Sequence, residues 1–282
     1  MTDNRPTPPD RKFALVAPIA IGLAAVAVLI VLLLRPAPPA KVATAPPPAA
    51  EPPPPLVAAA PAASAPLGRA ELIDGARAAA DAYAAGAPGQ AAKLTGRSFS
   101  LRLAFGCGGP VLDPGVAQAY YQLDATAGTA RLAARPVVLT DLPLIRAAPL
   151  PPETETVEGF WLARPWLKAE GCPMRRTVTP PATPTPTEAP SLGLAVFHGA
   201  DAPRAQRRGD RPYEFVVKSP AGGAAATFAL VLEGRITGFA DGQAIHCWSE
   251  SAEHRPICLY GVSLDRVAFE DAKGGVLAQW PT

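Results

Sequence analysis

Histidine is the side chain best suited to proton transfer near neutral pH, and the 282-residue sequence contains three of them. His198 stands in the segment VFHGAD, close to Asp201. A histidine–aspartate couple can activate a serine, but the sequence has no G-x-S-x-G motif that would present one. A polar turn residue is therefore the favoured interpretation of His198, and a hydrolytic site is the alternative.

The other two histidines belong to a cluster of possible metal ligands. Imidazole, thiolate and carboxylate groups occur within 13 residues, at His246, Cys247, Glu250, His254 and Cys258. Zinc fingers and ribbons place their ligands in two closely spaced pairs, a spacing that this cluster lacks. The sequence also has no C-x-x-C motif, which argues against thioredoxin-like redox chemistry. A metal-binding module using His246 and His254 stays an alternative, and we expect no metal or other cofactor.

The four cysteines are better explained as two disulfides than as metal ligands. Four cysteines allow three pairings. A Thr/Pro-rich segment separates the first two from the last two, which favours the pairs Cys107–Cys172 and Cys247–Cys258. The second bridge would join two predicted strands and close the polar segment WSESAEHRPI into a loop. Paired disulfides indicate an oxidising compartment outside the cytoplasm.

Two loops are candidates for contact with a partner. The loop between Cys247 and Cys258 is the candidate contact loop, which presents Trp248, Glu250, His254 and Arg255. The segment RAQRRGDR is the basic loop, which contains Arg204, Arg207, Arg208 and Arg211. Its arginines could meet anionic lipid, an acidic glycan or an acidic protein patch, although a solvated loop is the simpler interpretation. A net charge of only +2 excludes a nucleic-acid binder that depends on phosphate neutralisation.

One long apolar run indicates where these residues lie in the cell. Residues 13–34, FALVAPIAIGLAAVAVLIVLLL, carry no charge and would form a helix of roughly 33 Å, long enough to span a bilayer. The run is too long for a signal peptide. The positive-inside rule weakly favours a cytoplasmic tail of residues 1–12, because the cations before the run outnumber those after it. We expect a single-pass protein of the inner (cytoplasmic) membrane with a periplasmic or otherwise extracytoplasmic C-terminal domain.

The prolines are bunched and divide the remaining chain. Residues 35–66 are rich in Pro and Ala and predict a disordered, polyproline-II-like linker with a reach of at most roughly 95 Å. Residues 177–191 are rich in Thr and Pro and predict a long exposed loop. This loop separates a half-domain of residues 67–176, which contains the first cysteine pair, from a half-domain of residues 192–282, which contains the second.

Hydrophobic periodicity predicts a mainly β domain, α+β at most, with one N-terminal helix. Apolar residues recur on one helical face over residues 68–85. Alternation then predicts a strand at 99–105 and a hairpin of strands 120–125 and 131–139. Further strands are expected at 157–162, 192–197, 213–218, 227–232, 235–239, 243–248, 257–262, 267–270 and 276–280. This number of short strands is typical of a sandwich, a barrel or two small sheets, and the pattern leaves open whether the halves form one fold or two.

These features indicate a membrane-anchored envelope protein whose stapled β domain binds, scaffolds or assembles other components outside the cytoplasm. Its partners would be the lipid bilayer, through residues 13–34, and an envelope protein or the cell wall. We expect no enzymatic activity. The alternative is an anchored hydrolase that acts on envelope material through a site near His198 or in the 246–254 segment.

Overall fold

The computed structural model describes residues 64–87, 91–115, 117–174, 189–203, 205–209, 211–219 and 226–282, with the side chains of residues 91 and 92 excepted. The predicted tail, the span at 13–34, almost all of the linker and most of the 177–191 loop lie outside the described residues. Across the described ranges, no helix is both long enough and apolar enough to cross a membrane. Strand accounts for 41% and helix for 12% of this part of the chain, so the domain is mainly β, as predicted.

In the described part of the chain the long helix is α1, which spans Arg69–Ala84 and confirms the helix predicted at 68–85. Gly68 is the N-cap, and its N–H donates to the Glu71 carboxylate at 3.0 Å, which places a negative charge at the positive end of the helix dipole. The buried face of α1 carries Leu72 and Ile73, each 1% exposed. The helix therefore packs on the sheets through the apolar stripe that the sequence pattern indicated.

Eleven strands are present in the described part of the chain, together with a short helix, α2 (Pro143–Ala147), and a 3-10 turn (Ala91–Leu94). The strands are β1 (Ser98–Phe105), β2 (Ala119–Asp124), β3 (Thr129–Ala134), β4 (Val137–Val138), β5 (Thr154–Trp161), β6 (Leu192–Gly199), β7 (Tyr213–Lys218), β8 (Phe228–Ile236), β9 (Ile245–Trp248), β10 (Ile257–Glu270) and β11 (Val276–Pro281). Eight of them form one sheet in the order β1-β8-β10-β6-β5-β4, with β9 and β11 both paired to β10. The other three form a small antiparallel sheet, β2-β3-β7.

Strands from the two sides of the Thr/Pro-rich segment share both sheets. In the large sheet β1 pairs with β8 and β5 pairs with β6, and in the small sheet β3 pairs with β7. One compact unit extends over residues 61–282. The segments 67–176 and 192–282 therefore form one fold, which answers the question that the sequence left open.

The predicted hairpin is confirmed for β2 and β3, but its second strand was predicted too long, because residues 137–138 form β4 of the other sheet. Two predicted breaks in the strand pattern are absent. The segment 227–232 and the start of 235–239 belong to one strand, β8, which ends at Ile236. Gly234 keeps this strand directly against the backbone of β10, where a Cβ would come within 1.9 Å of the Ser263 carbonyl oxygen. The segments 257–262 and 267–270 are likewise one strand, β10. A bulge between Leu264 and Arg266 lets the strand continue through the polar residues between the two segments.

The large sheet is buried on both faces. Its inner face packs against the small sheet and α1, and an aromatic chain runs through this layer from Phe105 through Phe269 and Trp280 to Tyr213. Its outer face packs against α2, whose Leu144 and Ile145 are buried with Leu259 of β10. The fold is thus layered around a central sheet rather than a closed barrel.

The described chain enters the domain through Leu67, which forms a parallel bridge with Phe99 of β1. The Leu67 N–H donates to the Ser98 carbonyl, and the Leu67 carbonyl accepts from the Ser100 N–H, both at 2.9 Å. Arg69, only 3% exposed, then ties the start of α1 to the segment after β5. Its guanidinium donates at 2.6–2.8 Å to three carbonyls, those of Ala163, Arg164 and Leu167.

Candidate functional site

Both expected disulfides are present, Cys107–Cys172 with 5.5 Å between Cα atoms and Cys247–Cys258 with 4.1 Å. Cys247 and Cys258 stand directly opposite each other on β9 and β10. The four sulfurs are consequently bonded to one another and do not serve as thiolate ligands. Across the described ranges, no group of three or more His, Cys, Asp or Glu side chains could hold a metal ion.

The loop closed by Cys247–Cys258 borders a groove of about 320 Å³. All four residues of the candidate contact loop line it, together with Ser249, Ile257 and residues 189–191, which end the Thr/Pro-rich segment. Glu250, His254 and Arg255 are exposed, whereas Trp248 is half-buried. The groove therefore offers an aromatic surface beside charges of both signs.

Local hydrogen bonds give the contact loop a defined shape. The Ser251 hydroxyl and His254 Nδ1 lie 2.7 Å apart, and the Ser249 N–H donates to the Tyr83 hydroxyl of α1 at 3.3 Å. The disulfide closes the base of the loop, and these bonds connect its tip and its flank. A contact surface held in this way loses little conformational entropy on binding.

His246 does not line the groove with His254. Its Nε2 lies 3.0 Å from Oδ2 of Asp241, and its ring packs against Phe239 with 4.5 Å between centroids. Burial acts to raise the pKa of Asp241, but hydrogen bonds from Gln243 N–H and from His246 outweigh it and hold that pKa below its usual range. His246 thus supports the β8–β9 turn, and the structure does not bring the two histidines together.

The basic loop lies against the end of β5, and Arg204 falls outside the described residues. Arg207, Arg208 and Arg211 are all half-buried rather than fully solvated. The Arg208 guanidinium lies over the Tyr213 ring at 4.4 Å, and Arg211 donates to the Arg207 carbonyl at 3.0 Å. These arginines hold the loop on the sheet through local contacts.

The buried residue under this loop is His198, which the sequence analysis favoured as a turn residue. It lies instead within β6 and is 6% exposed. On the neighbouring strand β5, Glu158 is also 6% exposed, with its Oε2 4.0 Å from His198 Nε2. Burial lowers the pKa of His198, an effect that Glu158 opposes and Arg207 reinforces. His198 is therefore a neutral imidazole at pH 7, beside a buried carboxylate.

His198 and Glu158 line a cavity of about 330 Å³ that opens where the large sheet divides. β6 pairs with β10 only as far as Val262, and β11 pairs with β10 only from Arg266 onward on the same side. Between these points β6 continues away from β10 towards His198. The gap between β6 and β11, along the same side of β10, forms the cavity.

The alternation of β10 bears on the hydrolase alternative. Val262 faces the inner layer with His198, so its neighbour Ser263 belongs to the opposite face of the strand. Ser263 also lines the cavity that contains His198 and Glu158, but no hydrogen bond joins its hydroxyl to His198 in the described part of the chain. The described residues thus supply a histidine–carboxylate pair without a serine hydrogen-bonded to it.

Glu158 is the site residue that the sequence analysis missed. In the segment TVEGFW it looked like one polar residue in a strand. The alternation of the strand could have identified it. Glu158 shares a face with Phe160, and Phe160 is 2% exposed on the inner side of the sheet. A carboxylate at an inward position of a buried strand is a mark of a functional site.

Comparison with protein-family models, with curated protein sequences and with solved structures finds no match to this chain. The function of the protein is therefore inferred from the sequence and from the two sites.

Proposed function

We propose that this protein is a membrane-anchored binding and assembly module, with residues 13–34 in the bilayer and the β domain outside the cytoplasm. Its partner is another protein of the envelope, which docks on the groove of the candidate contact loop. The observation that carries this proposal is the convergence of Trp248, Glu250, His254 and Arg255 on one groove beside a disulfide.

The composition of the groove supports a protein contact. Tryptophan and arginine are the residues most enriched where interfaces concentrate their binding energy, and both are present here. Glu250 and Arg255 supply opposite charges, which favour one partner and one orientation over others. The disulfide and the Ser251–His254 hydrogen bond reduce the entropic cost of docking.

The layout of the chain supports the location. Two disulfides persist in oxidising compartments, and residues 13–34 have the length and composition of a membrane span. A Pro/Ala-rich linker would let the domain search for partners at a distance of up to roughly 95 Å from the membrane. Anchorage of this kind raises the effective concentration of the domain near other envelope proteins.

Photo-crosslinking in intact cells tests the proposal. A photoreactive residue replaces Glu250 in the full-length protein, and the control carries the same residue at Lys273, which is exposed on the β10–β11 turn. We expect one discrete adduct with an envelope protein from position 250 and none from position 273. The W248A variant should reduce the adduct yield at least fivefold. The same adducts from both positions, or none from position 250, would contradict the proposal.

The hydrolase alternative stays a prediction, and the His198–Glu158 pair is the observation that favours it. The triple variant H198A/H246A/H254A would remove it if it still supported growth of a strain dependent on the protein.

A further inference from the structure

The cavity at the divided edge of the large sheet is a second site, separate from the groove. Its walls are apolar over much of their area, and its polar lining consists of Glu158, His198, Gln206, Tyr213, Thr237, Ser263 and Thr282. The apolar lining includes Phe160, Val196, Val262 and Leu264, and the polar end is formed by Glu158 and His198. Its volume of about 330 Å³ is in the range of pockets that hold small organic ligands.

The polar end carries a buried charge without a matching cation. Glu158 accepts a hydrogen bond from the Arg208 N–H at 2.7 Å, which is a neutral donor. Among the residues that the structure describes, no lysine or arginine side chain makes a direct ion pair with Glu158, although the charges of Arg207 and Arg208 act on His198 and on Tyr213 of the same cavity. Buried carboxylates are normally paired, because an unpaired one loses its hydration without compensation.

The imidazole is also left without a hydrogen-bond partner in the described part of the chain. Its Nε2 lies 4.0 Å from Glu158 Oε2, which is too long for a hydrogen bond. A donor nitrogen about 2.8 Å from both atoms would see them at an angle of about 90°, roughly 20° narrower than the tetrahedral angle of an ammonium group, so both hydrogen bonds can form with a modest bend. In the tautomer protonated at Nδ1, Nε2 of a neutral histidine is an acceptor, as is a carboxylate oxygen, so the two atoms suit one group that has several donors.

We propose that this cavity binds a small primary amine, with its ammonium group between Glu158 and His198 and its hydrocarbon body against Phe160 and Val262. The ammonium supplies the missing positive charge and donates to both acceptors. The apolar walls select for a body of a few carbons to about ten heavy atoms. The loop that covers Glu158 limits access from solvent. It approaches closely at Gly209, where a Cβ would lie 3.0 Å from Glu158 Oε1 and 2.7 Å from Val138.

Three probes with the same ring and different heads test the proposal: cyclohexylmethylamine, cyclohexylmethanol and cyclohexanecarboxylate. Their affinities for the full-length protein in nonionic detergent are measured at pH 7.5 by isothermal titration calorimetry, with empty micelles as the reference. We expect the amine to bind at least tenfold more tightly than the alcohol and the carboxylate to bind most weakly. Equal affinity for the amine and the alcohol, a preference for the carboxylate, or no binding of any probe would overturn the proposal.

The E158Q variant isolates the charge, because its amide oxygen still accepts the Arg208 N–H. It should lose at least tenfold in affinity for the amine and leave the affinity for the alcohol unchanged. The matched control is E155Q, since Glu155 is an exposed residue of the same strand. It should bind all three probes as the wild type does, and an equal loss in E155Q would contradict the assignment. Should E158Q fold poorly, the ring signals of His198 in the wild type serve instead, since the amine must shift them at saturation.

Discussion

Removal of the disulfides one at a time tests how the domain is stabilised. The two bridges close loops of very different length, with sequence separations of 11 for Cys247–Cys258 and 65 for Cys107–Cys172. In the chain-entropy model, cross-linking reduces the entropy of the unfolded chain, and the effect grows with the logarithm of the loop length. The short loop should then contribute about 3 kcal/mol to the free energy of unfolding and the long loop about 4 kcal/mol.

The perturbation is a double replacement by alanine, C247A/C258A in one variant and C107A/C172A in the other. Alanine is preferable to serine because Cys258 is 2% exposed, and a buried hydroxyl would add its own cost. A loss of about 3 kcal/mol lowers the melting temperature of a domain of this size by about 6–12 °C. Denaturant unfolding of the full-length protein, followed by tryptophan fluorescence, measures both variants against the wild type.

The order of the two effects decides whether loop entropy is the main term. We expect C107A/C172A to be less stable than C247A/C258A by about 1 kcal/mol or more. The reverse order would refute the entropic argument and would point to the contacts of Cys258 in the core instead. C247A/C258A should also lose the crosslink from position 250, because its contact loop is no longer closed, whereas C107A/C172A should retain it.

Three further predictions follow from single contacts and from the chain layout. Because burial lowers the pKa of His198 in the folded state, the unfolded state takes up that proton first. Stability should therefore fall as pH decreases from about 7 through about 6.5, and H198N should flatten this slope between pH 5.5 and 7.5 in denaturant titrations. The hydroxyl of the fully buried Tyr260 donates to the Leu72 carbonyl at 2.9 Å. Y260F should therefore lower the free energy of unfolding by about 1 kcal/mol in the same assay. The exposed control Y83F should lower it by less than about 0.5 kcal/mol. Two fusions after residue 282 test the orientation. Alkaline phosphatase should be active there, and a fluorescent protein that folds only in the cytoplasm should not fluoresce. The opposite pattern would contradict the proposed orientation.

Features that depend on neighbouring residues were predictable from the sequence. The apolar stripe from Leu72 to Ala76 predicts α1, and the turn residues at 127–129 predict the hairpin of β2 and β3. The Cys247–Cys258 pair was predictable for the same reason, since its two strands are joined by a short loop. The sequence therefore predicts the contact loop as a candidate site without knowledge of the groove.

Features that depend on distant pairing were not predictable. The cavity exists because β6 and β11 share one side of β10 and leave it at different points, and no local pattern encodes where that division falls. Glu158 and His198 come together across two strands that are about 40 residues apart in sequence, with the Thr/Pro-rich segment between them. The long strands β8 and β10 were each predicted as two segments, and the features that keep them continuous, the close contact at Gly234 and the bulge near Leu264, depend on their partner strands.

The bridge at Leu67 has a mechanical consequence under the proposed attachment of the domain to a membrane. A pull on the chain before residue 64 acts first on the hydrogen bond from Arg97 to the Ala65 carbonyl and next on the two bonds that join Leu67 to Ser98 and Ser100. It then acts on the three carbonyl contacts of Arg69. Tension would thus free one residue of the sheet edge and then meet a buried guanidinium at the first residue of α1. In such an arrangement, load applied at the N-terminal side of the domain would reach these contacts before the strands behind them.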